Sequence, residues 1–181
     1  MIWDVIVCIA KDLCQPLFYL CVIAAVGILF LWFRLIYGKL TGNCYDWRRL
    51  REKSARLLLV VYILVLLQTA FFSREPGSRQ SLDLTLFETW GHSAVSHAYF
   101  IENILMYLPF GVLMPCCFGK MQRGVWCVAL GCCSSALLEL CQLLTRRGYC
   151  QLDDVLTNTA GALFGWFLWK LWISIFKKSR C

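Results

Sequence analysis

Charged residues are scarce in this chain, and their scarcity excludes a soluble globular protein. Only 16% of the 181 residues are Asp, Glu, Lys or Arg, whereas 60% are hydrophobic, and the mean hydropathy is +0.64. A soluble domain needs a more polar surface than this composition can supply. The composition therefore predicts an integral membrane protein.

The apolar runs also lack the alternation of apolar and polar residues that membrane β-barrel strands show, which excludes a barrel. A hydrocarbon layer roughly 30 Å thick is crossed by a helix of about 20 residues. We therefore predict an all-α fold, an integral membrane bundle of about five transmembrane helices. The predicted spans are residues 17–37, 57–72, 101–118, 125–144 and 155–176.

The predicted connections give the chain its organisation and its orientation. Lys and Arg are concentrated in one set of connections, so the positive-inside rule predicts an outer N-terminus and a cytoplasmic C-terminus. The net charge of +7 needs no nucleic acid, because basic residues beside helices meet anionic lipid heads. The predicted divisions are an interfacial segment at 1–16, two helices with a basic cytoplasmic loop at 17–73, an extracellular loop at 74–100, a three-helix core at 101–176 and a cytoplasmic tail at 177–181.

Familiar catalytic and metal-binding motifs are missing too. The 12 cysteines include no CxxC pair, and a free cysteine inside a span packs as a small hydrophobe. The chain has no GxSxG elbow, HExxH helix, phosphate-binding loop or dinucleotide fingerprint. Both histidines, His92 and His97, fall in the predicted outer loop, which argues against a serine triad built on Ser135. The sequence leaves open whether the protein is an enzyme.

The apolar spans nevertheless contain acidic and amide residues at a similar predicted depth near the outer surface. Such groups are costly in the membrane unless they face a polar interior, so a shared depth predicts a shared site. Helical spacing places Ser135, Glu139, Gln142 and Arg146 on one face of the fourth span. The residues in question are Glu102 and Asn103 in the third span, Glu139 and Gln142 in the fourth, and Asp153, Asp154 and Asn158 at the start of the fifth.

Each of these residues also has a structural interpretation. Asp153 or Asp154 would stabilise the first turn of the fifth helix as a cap, and Glu102 and Asn103 would do the same for the third. Glu139 lies inside the predicted span, where function is the usual interpretation of an ionisable group. Gly161 and Gly165 are more typical of close helix packing than of chemistry.

Three segments then carry a resemblance to a known family. In order and spacing, the blocks resemble the signature blocks of the VanZ-like family over residues 103–166. The adjacent pair Arg146 and Arg147, followed by Gly148, stands where that family often has an arginine and a short polar turn. The blocks are NILMYLPFG at 103–111, SSALLELCQ at 134–142 and DDVLTNTAG at 153–161, with Gly165 following.

The resemblance implies a multi-pass protein of the bacterial inner (plasma) membrane. The family is named for low-level resistance to the glycopeptide teicoplanin and has no settled biochemical activity. Of the polar residues, the resemblance carries over those within the matching blocks as the functional core. These are Asn103, Glu139, Gln142, Asp153, Asp154 and Asn158.

Two hypotheses of function follow. In the first, an outward-facing pocket handles an envelope lipid, a lipid-linked cell-wall precursor or a lipoglycopeptide. Glu139, Asp153 and Asp154 would act as catalytic or cation-binding groups, and a divalent cation with oxygen ligands is a possible cofactor. Binding would fall to the amides Asn103, Gln142 and Asn158, with Arg146 or Arg147 on an anionic head group.

In the second hypothesis the polar groups only fix the packing of three helices, and the protein acts through its surface. Transport is a weaker third hypothesis, since the spans show neither an inverted repeat nor a polar stripe that reaches the inner face. The sequence does not decide the oligomeric state.

Overall fold

The computed structural model describes the backbone of residues 2–11, 27, 33, 36–38, 47–74, 77, 79–83 and 93–178. The first predicted span, His92 and the apolar loop segment 84–90 therefore lie largely or wholly outside the described residues. Within them, residues 2–11 are helical. Four long helices follow, namely α1 (Trp47–Leu67), α2 (Ala94–Cys117), α3 (Gly124–Leu144) and α4 (Leu152–Lys178), together with the strands β1 (Arg79–Asp83) and β2 (Arg147–Gln151).

The long helices agree with the predicted helical membrane bundle. Among the described residues, the segments Glu52–Phe72, Ala94–Cys117 and Gly124–Leu144 are long and apolar enough to cross a membrane. The first of these is α1 together with a π-helical turn, Gln68–Phe72, that continues it. The helix α4 is the longest of the four, at 27 residues.

The start of α2 differs from its prediction and changes how three residues are understood. The helix begins at Ala94 instead of residue 101, because the Ser93 side chain caps it by accepting a hydrogen bond from the Ser96 N–H at 3.1 Å. His97 is therefore helical and not part of a loop. Glu102 and Asn103 lie more than two turns inside α2, so the interpretation of these residues as helix caps is wrong.

Glycines bring α2 and α4 into backbone contact. A Cβ atom at Gly161 would collide with the carbonyl oxygen of Ile104, and one at Gly165 with that of Leu108. The reverse holds at Gly111, where a Cβ would collide with the Ala162 carbonyl. The expectation that Gly161 and Gly165 serve helix packing is confirmed, because any larger side chain would force the two helices apart.

The core between α1, α2 and α3 is aromatic and aliphatic. Tyr107 and Cys127 are fully buried, and Phe110 packs beside Tyr107 with ring centroids 5.8 Å apart. From α1, the buried Tyr62 donates a hydrogen bond to the Met106 carbonyl at 2.9 Å. This bond ties α1 to α2 while satisfying a hydroxyl that would be costly to bury alone.

Two short strands add a feature that the all-α prediction did not include. Segment β1 belongs to the predicted extracellular loop, and β2 belongs to the connection between α3 and α4. The strands pair in parallel, with Arg79 opposite Arg147 and Asp83 opposite Gln151. They lie where α1 and α3 end and where α2 and α4 begin, and we call this the ladder end of the bundle.

Candidate functional site

Polar side chains are buried together at the ladder end. Such burial is costly unless the groups find partners or serve a function. Six of the side chains are at most 7% exposed, and Asn103 of α2 is partly buried beside them. We call this set the polar cluster, which comprises Asn103 of α2, Ser135, Glu139 and Gln142 of α3, and Asp153, Asp154 and Asn158 of α4.

Two carboxylates from different helices form the centre of the polar cluster. Asp154 accepts a hydrogen bond from Asn103 Nδ2 at 2.7 Å, and Glu139 accepts one from the backbone N–H of Gln151 at 3.2 Å. A negative charge on Asp154 opposes a negative charge on Glu139, and low solvent exposure strengthens this opposition. The fold therefore brings two acids together instead of separating them.

An amide pair lies one turn deeper in the bundle. Asn158 donates a hydrogen bond through Nδ2 to Ser135 Oγ at 2.8 Å. The carbonyl oxygen of the Asn158 side chain is buried and has no hydrogen-bond partner in the described part of the chain. Asn158 itself is only 3% exposed, so this unpaired acceptor carries a desolvation cost.

Gln142 links the polar cluster to the end of α1. Its Nε2 donates to the carbonyl oxygen of Ala70 at 2.8 Å, and its Oε1 accepts a hydrogen bond from Arg74 Nη1 at 3.2 Å. Arg74 also interacts favourably through its charge with both Glu139 and Asp154. An exposed arginine therefore stands beside two buried carboxylates.

The arginines predicted from the sequence have different surroundings. Arg147 donates hydrogen bonds to the carbonyl oxygens of Arg74, at 3.0 Å, and Phe71, at 3.5 Å, with its guanidinium over the Phe71 ring. It thus holds the chain just after α1. Arg146 is exposed, has a φ of 56° and follows the end of α3. Among the described side chains, the arginine that contacts the polar cluster is Arg74, the first residue of the predicted extracellular loop.

A glycine makes the approach of Arg74 possible. A Cβ atom on Gly148 of β2 would lie 2.5 Å from Arg74 Nη1 and 3.1 Å from Gln142 Oε1. A larger residue would therefore push on the atoms that form the bond between Arg74 and Gln142. One sequence signal could have identified Arg74. It lies just beyond an apolar span on the predicted outer side, where basic residues are few.

A cysteine beside the carboxylates reports on their charge. Burial raises the pKa of the Cys150 thiol in β2, and the negative charges of Glu139 and Asp154 raise it further. Strand β2 thus places the Cys150 thiol outside the spans, at a position where the negative charges of both acids act on it. Cys150 is a free thiol.

The remaining predicted residues fall at the same end of the bundle. Asp153 is 3% exposed in the first turn of α4, and its charge acts on Asp154. Asp154 accepts its hydrogen bond from α2, so its carboxylate joins two helices. Among the described residues, no group of three or more His, Cys, Asp or Glu side chains is arranged to hold a metal ion. A cation there would need amide oxygens or ligand oxygens as well.

Comparison with known proteins gives these residues a family context. The family described as VanZ/LLP1 matches residues 57–173, a range that contains the whole polar cluster and Arg74. Protein VanZ of Enterococcus faecium is 27% identical over 127 residues, which is 65% of this chain and 74% of the relative. No solved structure matches the chain.

Proposed function

The chain belongs to the VanZ/LLP1 family, and from this we propose that it is a bacterial plasma-membrane protein that contributes to teicoplanin resistance. In this proposal the polar cluster is a pocket open to the cell exterior. The pocket binds the head group of an envelope lipid or of a lipid-linked glycan such as a cell-wall precursor.

The observation that carries the proposal is the meeting of Glu139 and Asp154. Two carboxylates from α3 and α4 are at most 7% exposed and repel each other. A structural network would gain more from an acid paired with a base, because like charges at short range oppose folding. Ionisable groups that are buried together despite this unfavourable electrostatic energy are typical of a functional site.

The surrounding residues suggest a division of roles. Glu139, Asp153 and Asp154 serve as acid, base or cation-binding groups, and a divalent cation bridging them to a phosphate is compatible with their oxygen ligands. Asn103, Gln142 and Asn158 orient the ligand. Arg74 takes the role that the sequence analysis gave to Arg146 or Arg147, because a guanidinium can pair with an anionic head group at the exposed edge.

The proposal is tested by lipid binding. The protein is purified in detergent micelles, incubated with an extract of bacterial envelope lipids and examined by native mass spectrometry for retained lipid. Wild type should retain a lipid that Glu139→Gln and Asp154→Asn lose. Glu52→Gln is the matched control, because Glu52 is an exposed carboxylate near the start of α1, far from the ladder end. Retention by both variants, or none by wild type, would contradict the pocket.

A resistance assay tests the cellular part of the proposal. Expression in a teicoplanin-sensitive Gram-positive host should raise the minimal inhibitory concentration of teicoplanin. The Glu139→Gln and Asp154→Asn variants should return it to the level of the empty vector at equal membrane abundance. Equal resistance from the variants would show that the carboxylates are not needed for the phenotype.

A second candidate is a packing role for the polar cluster. It is favoured by the direct pairs between Asn103 and Asp154 and between Asn158 and Ser135, since each joins α4 to a neighbouring helix. Under this alternative, Glu139→Gln and Asp154→Asn would lower thermal stability and membrane abundance in parallel with resistance. Loss of resistance at unchanged stability would reject it.

A further inference from the structure

The centre of the polar cluster has more hydrogen-bond acceptors than donors. A carboxylate offers about four acceptor positions, whereas Glu139 and Asp154 each receive one hydrogen bond from the part of the chain that the structure describes. The buried Asn158 carbonyl oxygen adds an acceptor that has no partner there. The protein therefore supplies a surplus of acceptors to whatever occupies this position.

Charge points to the same kind of occupant. Glu139, Asp153 and Asp154 are acids, and among the described side chains the cation that acts on both Glu139 and Asp154 is Arg74. Arg74 is exposed, whereas the three acids are buried. A phosphate placed among the buried acids would be repelled, but a phosphate beside Arg74 would be attracted.

Position completes the argument. Asn158 follows Asp154 by four residues on α4, about 6 Å along the axis, and side chains on a helix lean toward its N-terminus. The Asn158 side chain therefore leans toward Asp154. Acceptors from Glu139, Asp154 and Asn158 match in number the three N–H donors of a primary ammonium.

We infer that the group bound between Glu139, Asp154 and Asn158 is a primary ammonium, carried by the head group of the ligand. This inference rests on the proposed function, since it names the ligand chemistry of the same pocket. An aminophospholipid carries such a group, and so does a lipid-linked glycan with an amino sugar whose nitrogen is not acetylated. In either ligand, an adjacent phosphate would lie toward Arg74.

The test compares pairs of ligands in which one member carries the primary amine and its partner, matched in the rest of the molecule, does not. Purified full-length protein in maltoside micelles is titrated with dioctanoyl phosphatidylethanolamine and with dioctanoyl phosphatidylglycerol, which has hydroxyl groups instead of the amine. A second pair is octyl glucosaminide and its N-acetyl derivative. Binding is followed by thermophoresis, and circular dichroism checks the fold of each variant.

Wild type should bind at least one amine about tenfold more tightly than its matched partner, a difference of about 1.4 kcal/mol, because the ammonium makes charge-assisted hydrogen bonds. A preference within the phospholipid pair alone assigns the amine to an aminophospholipid, and one within the glucosaminide pair alone assigns it to a glycan. Glu139→Gln combined with Asp154→Asn should abolish the preference. Glu52→Gln should keep it.

The contrary results separate this inference from the proposed function. Equal or tighter binding of phosphatidylglycerol and the N-acetyl glycoside by wild type, lost in Glu139→Gln, overturns the ammonium but leaves the pocket standing. If calcium or magnesium competes with every probe, the inference is overturned and the group bound at this position is a metal ion. No binding of any probe, together with no retained envelope lipid, would overturn both. The ligand preferences are measured on wild type, so their outcome does not depend on whether the double variant folds.

Discussion

At the scale of single residues, the molecule gathers groups that repel each other or lack partners. Glu139 and Asp154 oppose each other, and Asn158 keeps a buried carbonyl oxygen unsatisfied among the described residues. The positive charge of Arg74 opposes this negative charge from the exposed edge, where Arg74 donates a hydrogen bond to Gln142 and Gly148 leaves room for it. Substitutions of these residues should therefore change charge and binding more than they change packing.

Cys150 allows the charge of the carboxylates to be measured directly. Burial first, and then the charges of Glu139 and Asp154, raise the pKa of this thiol. Neutralising either acid removes a negative charge that opposes ionisation, so the pKa should fall and alkylation at a fixed pH should become faster. The rate of iodoacetamide labelling at Cys150 is measured against pH by peptide mapping of wild type, Glu139→Gln and Asp154→Asn.

The shape of the pH profile distinguishes charge from exposure. Loss of a negative charge moves the midpoint of the labelling-rate profile toward lower pH and leaves the rate at the high-pH plateau unchanged. Greater exposure of Cys150 instead raises the rate at the plateau. Glu52→Gln should leave the whole profile unchanged. A midpoint that does not move in either cluster variant would show that the carboxylates are uncharged or distant from Cys150.

At the scale of secondary-structure elements, the contact between α2 and α4 positions the cluster. Gly111, Gly161 and Gly165 let the two backbones meet, and this approach brings Asn103 of α2 within 2.7 Å of Asp154. Close backbone packing is a principal source of helix association in membranes, where hydrophobic driving force is weak. The same glycines therefore support both the bundle and the site.

Gly161→Val should destabilise the bundle strongly. Valine gains a few tenths of a kcal/mol in helix propensity over glycine, but its Cβ would collide with the carbonyl oxygen of Ile104. Overpacking costs about 1–3 kcal/mol, occasionally more, so the steric cost wins and a net loss of about 2 kcal/mol is expected. Unfolding in mixed micelles with increasing dodecyl sulfate measures the difference.

Gly119→Val is the matched control, because a Cβ at Gly119 would have nothing within 4 Å. It should change the free energy of unfolding by much less. Equal stability of Gly161→Val and wild type would mean that α2 and α4 are not in backbone contact.

At the scale of the whole molecule, strand pairing joins part of the predicted outer loop to one end of the bundle. The strands β1 and β2 bring a segment of the predicted outer loop beside the connection between α3 and α4, and Gly77 donates a backbone hydrogen bond to the Arg146 carbonyl at 2.9 Å. The end of α1 is fixed at the same place by Arg147. The described part of the loop, Gly77 and β1, therefore lies at the end of the bundle that contains the polar cluster.

The proposed orientation requires that the ladder end face the cell exterior. With the C-terminus inside, a green fluorescent protein fused after Cys181 should be fluorescent and alkaline phosphatase fused there should be inactive, because each folds on one side of the membrane only. An insertion of alkaline phosphatase after Gly77 should instead be active. Active phosphatase at the C-terminus would reverse the orientation and place the polar cluster on the cytoplasmic side.

The sequence alone determined the class of the fold and most of the members of the site. Composition required a membrane protein, and helical spacing placed Ser135, Glu139, Gln142 and Arg146 on one face. The first three are buried in the structure, whereas Arg146 is exposed. Both predictions depend only on residues that are close together in the sequence. Lipid requires a helix that satisfies its own backbone hydrogen bonds, and the helical period determines which nearby residues share a face.

The tertiary structure decided which distant groups meet. The sequence analysis predicted Arg146 or Arg147 at the site, yet Arg74 is the arginine beside Gln142, 68 residues away in the chain. It also placed Glu102 and Asn103 at a helix start, whereas the Ser93 cap starts α2 at Ala94. The close approach of α2 and α4 then sets Asn103 against Asp154. Strand pairing and backbone approach at glycines depend on how elements pack, and no local pattern specifies which side chains that packing brings together.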